Sequence, residues 1–189
     1  MLMKILVKSV YIIISAIFLL YLALPTPDFP LPPEGALQSQ EPADTETLLR
    51  RAYFTNLTRQ EVLDHYQEQF DSSSFLNIPV PTFRLNYPPE EAQTIIRDQT
   101  RSKFLEEIVH PMRESVFVNG FEPKLEKDTI FIEGLIWRQK ITVRYIASNP
   151  PVRLILGVAT LVIIAMVYRA YRKVFHNILR EVKRKWIFR

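Results

Sequence analysis

The stretch Leu154–Tyr168 reads LILGVATLVIIAMVY and carries no charge over 15 residues. As an α-helix rising ~1.5 Å per residue it is about 22 Å long, short of a hydrocarbon core of ~30 Å. From Pro151 to Tyr171 there are 21 residues. That helix reaches about 31 Å, provided Arg153 and Arg169 snorkel to opposite surfaces. A buried core helix is the competing reading, and the flanks decide against it. Asn149-Pro150-Pro151 precedes the run. After it come Arg169, Arg172, Lys173, Arg180, Lys183, Arg184, Lys185 and Arg189 against a single acid, Glu181. A basic block directly after an apolar span marks its cytoplasmic side. The reading is a transmembrane helix over 149–171 and a cytoplasmic tail over 172–189.

Within the tail, Val174, Phe175, Ile178, Leu179, Val182 and Trp186 recur at helical spacing and fill a sector of about 140°. Arg172, Lys173, His176, Arg180, Lys183 and Arg184 lie outside that sector, and Lys185 falls within it. The pattern predicts a basic amphipathic helix on the anionic inner leaflet, with Trp186 and Phe188 in the interface. A bare topology signal needs cations but no apolar stripe. A third reading docks the stripe on the cytoplasmic domain of a partner protein. The candidate membrane-surface residues are Arg172, Lys173, Phe175, Ile178, Leu179, Arg180, Val182, Lys183, Arg184 and Trp186.

The N-terminus offers a second span. Lys4 and Lys8 open the chain, and Ser9–Leu24 is 16 residues without a charge. A signal peptide would have a small residue three places before its cleavage site. The site after Ala23 has the bulky Tyr21 there, and Pro25 follows. The apolar run also exceeds the usual signal core. A retained anchor over 1–24 is expected. The leading lysines and the basic tail then place both termini in the cytoplasm of a plasma membrane and the middle outside it.

Charge divides along the same lines. From Pro25 to Pro150 there are 13 Lys+Arg and 19 Asp+Glu, a net −6, while the rest carries 11 Lys+Arg and one acid, a net +10. The basic balance belongs to the membrane flanks. Nucleic-acid binding needs a basic face on the folded domain, so none is expected. There is no cysteine, which excludes disulfides, thiol catalysis and Cys-ligated zinc.

Residues 25–47 hold six of the 14 prolines and read as a semi-rigid spacer. An outer domain is expected over 48–148. Leu48–Asn56 reads as a strand. Thr58-Arg59-Gln60-Glu61 is a capping box, and Val62, Leu63, Tyr66 and Phe70 mark the buried face of the helix it starts. Asn56-Leu57-Thr58 also forms a glycosylation sequon, but capping already explains Thr58. Val80–Tyr87 alternates as a half-buried strand with Phe83, Leu85 and Tyr87 on one face. Pro88-Pro89-Glu90-Glu91 starts a helix with Ala92, Ile95 and Ile96 in its stripe. Leu105, Ile108, Val109 and Met112 predict a further helix ended by Pro111.

Strands are expected from Arg113 onward. Val116–Val118 precedes an Asn119-Gly120 turn, and Thr129–Ile132 precedes a Glu133-Gly134 turn. Ile141, Val143 and Tyr145 alternate with Thr142 and Arg144. Phe83, Leu85, Ile95, Ile108, Phe117, Ile132 and Val143 are the expected core. The fold class is an α+β extracytoplasmic domain between two transmembrane helices, with a mostly antiparallel sheet carrying helices on one face.

No catalytic signature accompanies this layout. The four glycines have no phosphate-loop spacing. His65, His110 and His176 are isolated, and one histidine among scattered acids is more often a solvated face than a metal site. Glu90-Glu91 and Glu106-Glu107 are neighbours in sequence, which on a helix point about 100° apart. Neither span carries a central charge that would mark an ion path. Gly157 and Thr160 allow close helix approach. No catalytic residue, cofactor or metal is expected. In topology alone, the inside–outside–inside order with Pro150-Pro151 before the second span resembles polysaccharide co-polymerases (chain-length regulators). The long outer helices of that family are missing here. The function expected is a binding or scaffolding accessory component of a cell-envelope complex. An extracytoplasmic sensor relaying inward is the alternative. The bilayer and either a membrane-protein partner or a second copy are the partners expected.

Overall fold

The computed structural model describes residues 2–71, 80–88, 91 and 103–187. The chain forms two compact units, residues 25–148 and residues 1–24 with 149–189. The first is α+β. Among the described residues, six of its strands form one sheet in the order β1-β2-β8-β5-β4-β3, with every pairing antiparallel. They are β1 (Leu37–Gln38), β2 (Arg50–Thr55), β3 (Phe83–Asn86), β4 (Phe104–Val109), β5 (Ser115–Phe121) and β8 (Gln139–Ile146). β6 (Ile130–Ile132) and β7 (Leu135–Trp137) form a separate hairpin between β5 and β8.

Helix α2 (Arg59–Asp71) covers one sheet face. The Thr58 amide donates to Glu61 Oε2 at 2.7 Å, and the Glu61 amide donates to Thr58 Oγ1 at 3.3 Å, as the capping box predicts. Val62, Leu63, Tyr66 and Phe70 are all buried. They close over Tyr53, Phe104, Ile108, Val116, Val118, Ile141, Val143 and Tyr145. The alternation in β8 holds: Ile141, Val143 and Tyr145 face this core.

The expected helix through Leu105 and Ile108 is instead strand β4, paired on both sides, with Ile108 opposite Arg84 of β3 and Val116 of β5. The residues facing α2 from β4 alternate as Phe104, Glu106 and Ile108, and Glu106 interrupts the apolar alternation of a half-buried strand. Leu105 and Ile108, three apart, point to opposite faces. Pro111 lies in the β4–β5 turn with Met112 at φ 60°. Asn119-Gly120 is not a turn: both residues sit inside β5, Gly120 opposite Phe104.

The expected core is right in part. Ile108 and Val143 are fully buried, but Phe83 and Leu85 are exposed because they alternate with Arg84, which faces Glu106 on the α2 side, and so lie on the opposite face of the edge strand β3. Phe117 and Ile132 are half-buried. The proposed helix start at 88–91 and the stripe of Ala92, Ile95 and Ile96 fall largely or wholly outside the described residues.

Residues 25–47 are no free spacer. Their prolines lack amide donors but leave carbonyls, and the domain uses them. Tyr145 Oη donates to the Pro27 carbonyl at 2.8 Å, and Arg113 donates to the Pro25 carbonyl at 2.7 Å. Phe29 and Ala36 pack on the core, and Leu37 pairs with Phe54.

In the other unit, α1 (Leu2–Ala23) and α3 (Pro150–Ile187) pack together. Tyr11 Oη donates to the Leu161 carbonyl at 2.6 Å. A Cβ on Gly157 would lie 2.5 Å from Leu22 Cδ1, so the expected close approach occurs there. Thr160 instead bonds the Leu156 carbonyl of its own helix. Arg153 is buried and donates to the Leu24 carbonyl at 2.7 Å, beside the C-terminal end of α1.

Candidate functional site

The residues expected at a membrane surface all fall on α3, which runs without interruption from Pro150 to Ile187. The stretches expected as a second span and as a tail thus lie on one helix. Val174, Phe175, Ile178 and Leu179 are exposed, so none of the described residues covers this part of the stripe. Arg172, Lys173 and Arg180 are exposed beside it. Val182, Lys183, Arg184 and Trp186 belong to the same helix, but their side chains lie outside the described part.

Polar groups gather at three places in the 25–148 unit that sequence spacing does not connect. The first is Glu106, on the face covered by α2. Arg59 of α2 donates to its Oε1 from Nε at 3.0 Å and again from Nη2. Arg84 of β3 brings Nε within 3.2 Å of Oε2, without the alignment of a hydrogen bond, so charge alone holds that oxygen. The carboxylate is buried while both guanidinium groups reach solvent.

The second group joins the β4–β5 turn to α2 and to the chain leading into the domain. The His110 ring, stacked 4.8 Å from Phe70, is fully buried. Its Nε2 donates to the Phe70 carbonyl at 3.0 Å, and its Nδ1 faces Glu114 Oε1 at 2.8 Å. Arg113 meets the same Oε1 at 2.8 Å. These contacts close the turn against the last residues of α2.

The third is Lys140 of β8, which meets Asp44 at 2.6 Å and Glu41 at 2.7 Å. Ser39 donates to the same Asp44 oxygen at 2.6 Å. Burial works against the charged Lys140, but hydrogen bonds to Asp44 and Glu41 outweigh it and raise the ammonium above its ordinary range. His65, read as a solvated face, contacts Gln69 and the Leu31 carbonyl at 3.0 Å. Tyr87 is pushed up to about 12 by desolvation and by its bond to Glu107. Each group ties one segment of the domain to another. Among the described residues, no three His, Asp or Glu side chains are placed to hold a metal ion.

The sequence reading missed the β6–β7 hairpin as a surface. Glu133 and Gly134, at φ 53° and 79°, form its expected turn, and two positive φ values match a type I′ connection. Phe131, Leu135 and Ile136 stand exposed on it. The signal was present in the sequence: Ile130-Phe131-Ile132 and Leu135-Ile136-Trp137 leave no polar position on either face.

Comparison of the chain with protein families, with curated proteins and with solved structures finds no match. The resemblance to polysaccharide co-polymerases therefore rests on the order of spans alone.

Proposed function

We propose that this chain is a membrane-anchored binding or scaffolding protein, an accessory component of a cell-envelope complex. In this reading α1 and α3 cross the plasma membrane, both termini are cytoplasmic, and the α+β unit acts outside. The observation that carries it is the pair of long apolar helices. Ile5–Ala23 and a stretch within Pro150–Arg180 are long and apolar enough to cross a membrane. Their outward side chains, such as Ile12, Ile17, Ile155 and Ile163, are exposed, and lipid supplies the surroundings such faces require. The separate core of the 25–148 unit fits a module held at a bilayer by its two chain connections.

The exposed stripe at Val174, Phe175, Ile178 and Leu179 fits either the anionic inner leaflet or an inner partner. A sensor is the second reading, and one observation favours it. Only three residues, Ala147–Asn149, separate β8 from the uninterrupted helix that carries the tail. A displacement of β8 has a short covalent route to the cytoplasmic end.

Isolation of the full chain from its membrane in native nanodiscs tests the proposal. A stoichiometric protein partner is the expected result. A lone chain carrying a small molecule turns the assignment to the sensor. Recovery from the aqueous fraction removes both readings.

A further inference from the structure

The β6–β7 hairpin has no polar face. Its register pairs Phe131 with Ile136 and Ile132 with Leu135. Alternation puts Phe131 and Ile136 on one side and Ile132 and Leu135 on the other. Phe131, Leu135 and Ile136 are 64%, 58% and 66% exposed, and Leu125 just before the hairpin is 57% exposed. A two-stranded ribbon is marginal in water by itself, and a contiguous apolar surface marks a contact site.

The ribbon is nonetheless held in place. Trp137 is buried and donates from Nε1 to the Ile132 carbonyl at 3.4 Å. Arg138 binds Glu122 at 2.7 Å, and its amide donates to Asn56 Oδ1 at 2.9 Å. The hairpin leaves the sheet at the end of β5 and β8 marked by Phe121 opposite Lys140. The chain connections lie beyond the other end, past Ser115 opposite Ile146, where Thr26 Oγ1 donates to the Ser148 carbonyl at 2.8 Å. The domain presents the ribbon at the end away from those connections.

Charge selects the occupant. Glu133 occupies the turn itself, and Glu122, Glu126 and Asp128 flank the ribbon, against Lys124, Lys127 and the Glu122-paired Arg138. Insertion of the tip into lipid would carry the Glu133 carboxylate into hydrocarbon, which is strongly unfavourable. A second copy would set Glu133 against Glu133 and one domain of net −6 against another. We propose that the β6–β7 hairpin docks a protein partner that presents an apolar groove rimmed by Lys or Arg. This rests on the reading of the domain as a binding module.

A photo-crosslinking phenylalanine analogue, placed at Phe131, Ile136 or the exposed Leu48 of the full chain in its own membrane, tests it. A discrete heavier adduct from positions 131 and 136, absent from 48, is expected. Glu126→Lys with Glu133→Lys should cut its yield about fivefold or more, since these changes reverse the rim and leave the apolar patch intact. Phe131→Ser with Ile136→Ser should abolish copurification of the adduct's partner while the melting temperature holds, because neither side chain is buried. An adduct of twice the chain's own mass, an adduct to lipid, or a yield indifferent to the charge reversal overturns the proposal. Adducts from position 48 alone overturn the hairpin assignment and leave the binding-module reading standing. No adduct at any of the three positions overturns both.

Discussion

The ring of Phe104 occupies the place where a side chain on residue 120 would begin. A Cβ on Gly120 would stand 2.0 Å from Phe104 Cε1, and the two residues are direct partners across β4 and β5. Gly120 is therefore a packing residue inside a strand. Gly120→Ala forces the buried ring to shift, and overpacking of this kind costs about 1–3 kcal/mol. Thermal melting of the 25–148 unit should show a clear drop in Tm. If Phe104→Ala is made as well, the penalty of the alanine at 120 should shrink, because the obstacle is gone.

Glu106 and its two arginines should respond unequally to removal. Arg59 and Arg84 reach solvent, so taking away the carboxylate leaves cations that water can accept. Taking away both arginines leaves a buried, unpaired carboxylate, a change of about 3–5 kcal/mol in comparable pairs. Glu106→Leu should thus be tolerated far better than Arg59→Ala with Arg84→Ala. Denaturant unfolding of the three proteins checks the order, and equal losses would contradict it.

Tyr66 places its hydroxyl in the core without a hydrogen-bond partner. Burial drives its phenol above the ordinary range, with Tyr53 adding to the effect. Burying an unpaired hydroxyl costs about 1–3 kcal/mol by mutational measures. Tyr66→Phe keeps the ring and removes that cost, so it should raise the Tm rather than lower it.

Lys140 ties residues 41–44 to β8 and has a raised ammonium in the folded state. For a group raised on folding, the stabilisation is fully present below the unfolded value and is lost as pH rises through the folded one. The stability difference between wild type and Lys140→Gln should stay constant through neutral pH. It should begin to fall once the pH passes about 10.5, the ordinary lysine value. A difference that instead disappears between neutral pH and the ordinary lysine value would contradict this assignment.

The capping box and apolar stripe of α2 were legible because they depend on neighbours three and four residues away. The strict alternation of Ile141, Val143 and Tyr145 was legible for the same reason. β4 was not, because its inward residue Glu106 is acceptable only through Arg59 and Arg84, which lie 47 and 22 positions earlier in the chain. Local pattern then favours a false helical stripe from Leu105 to Met112. Asn119-Gly120 misled in the same way: the reason for the glycine is a ring on another strand. Phe83 and Leu85 have the alternation of a half-buried strand, but which of its faces α2 covers, and its place at the sheet edge, are decided by pairing with β4, which no local signal carries. The Glu133-Gly134 turn was legible, whereas its role as the tip of an exposed ribbon emerged only once the sheet closed without it.

In the proposed topology the 25–148 unit lies outside the cell and the tail inside. The chain has no native cysteine, so single cysteines report accessibility without background. Lys124 and Asn177 are both exposed, one on each unit. With an impermeant thiol reagent on intact cells, Lys124→Cys should be labelled and Asn177→Cys should be labelled only after lysis. Labelling of position 177 in intact cells, or protection of position 124, would contradict this topology.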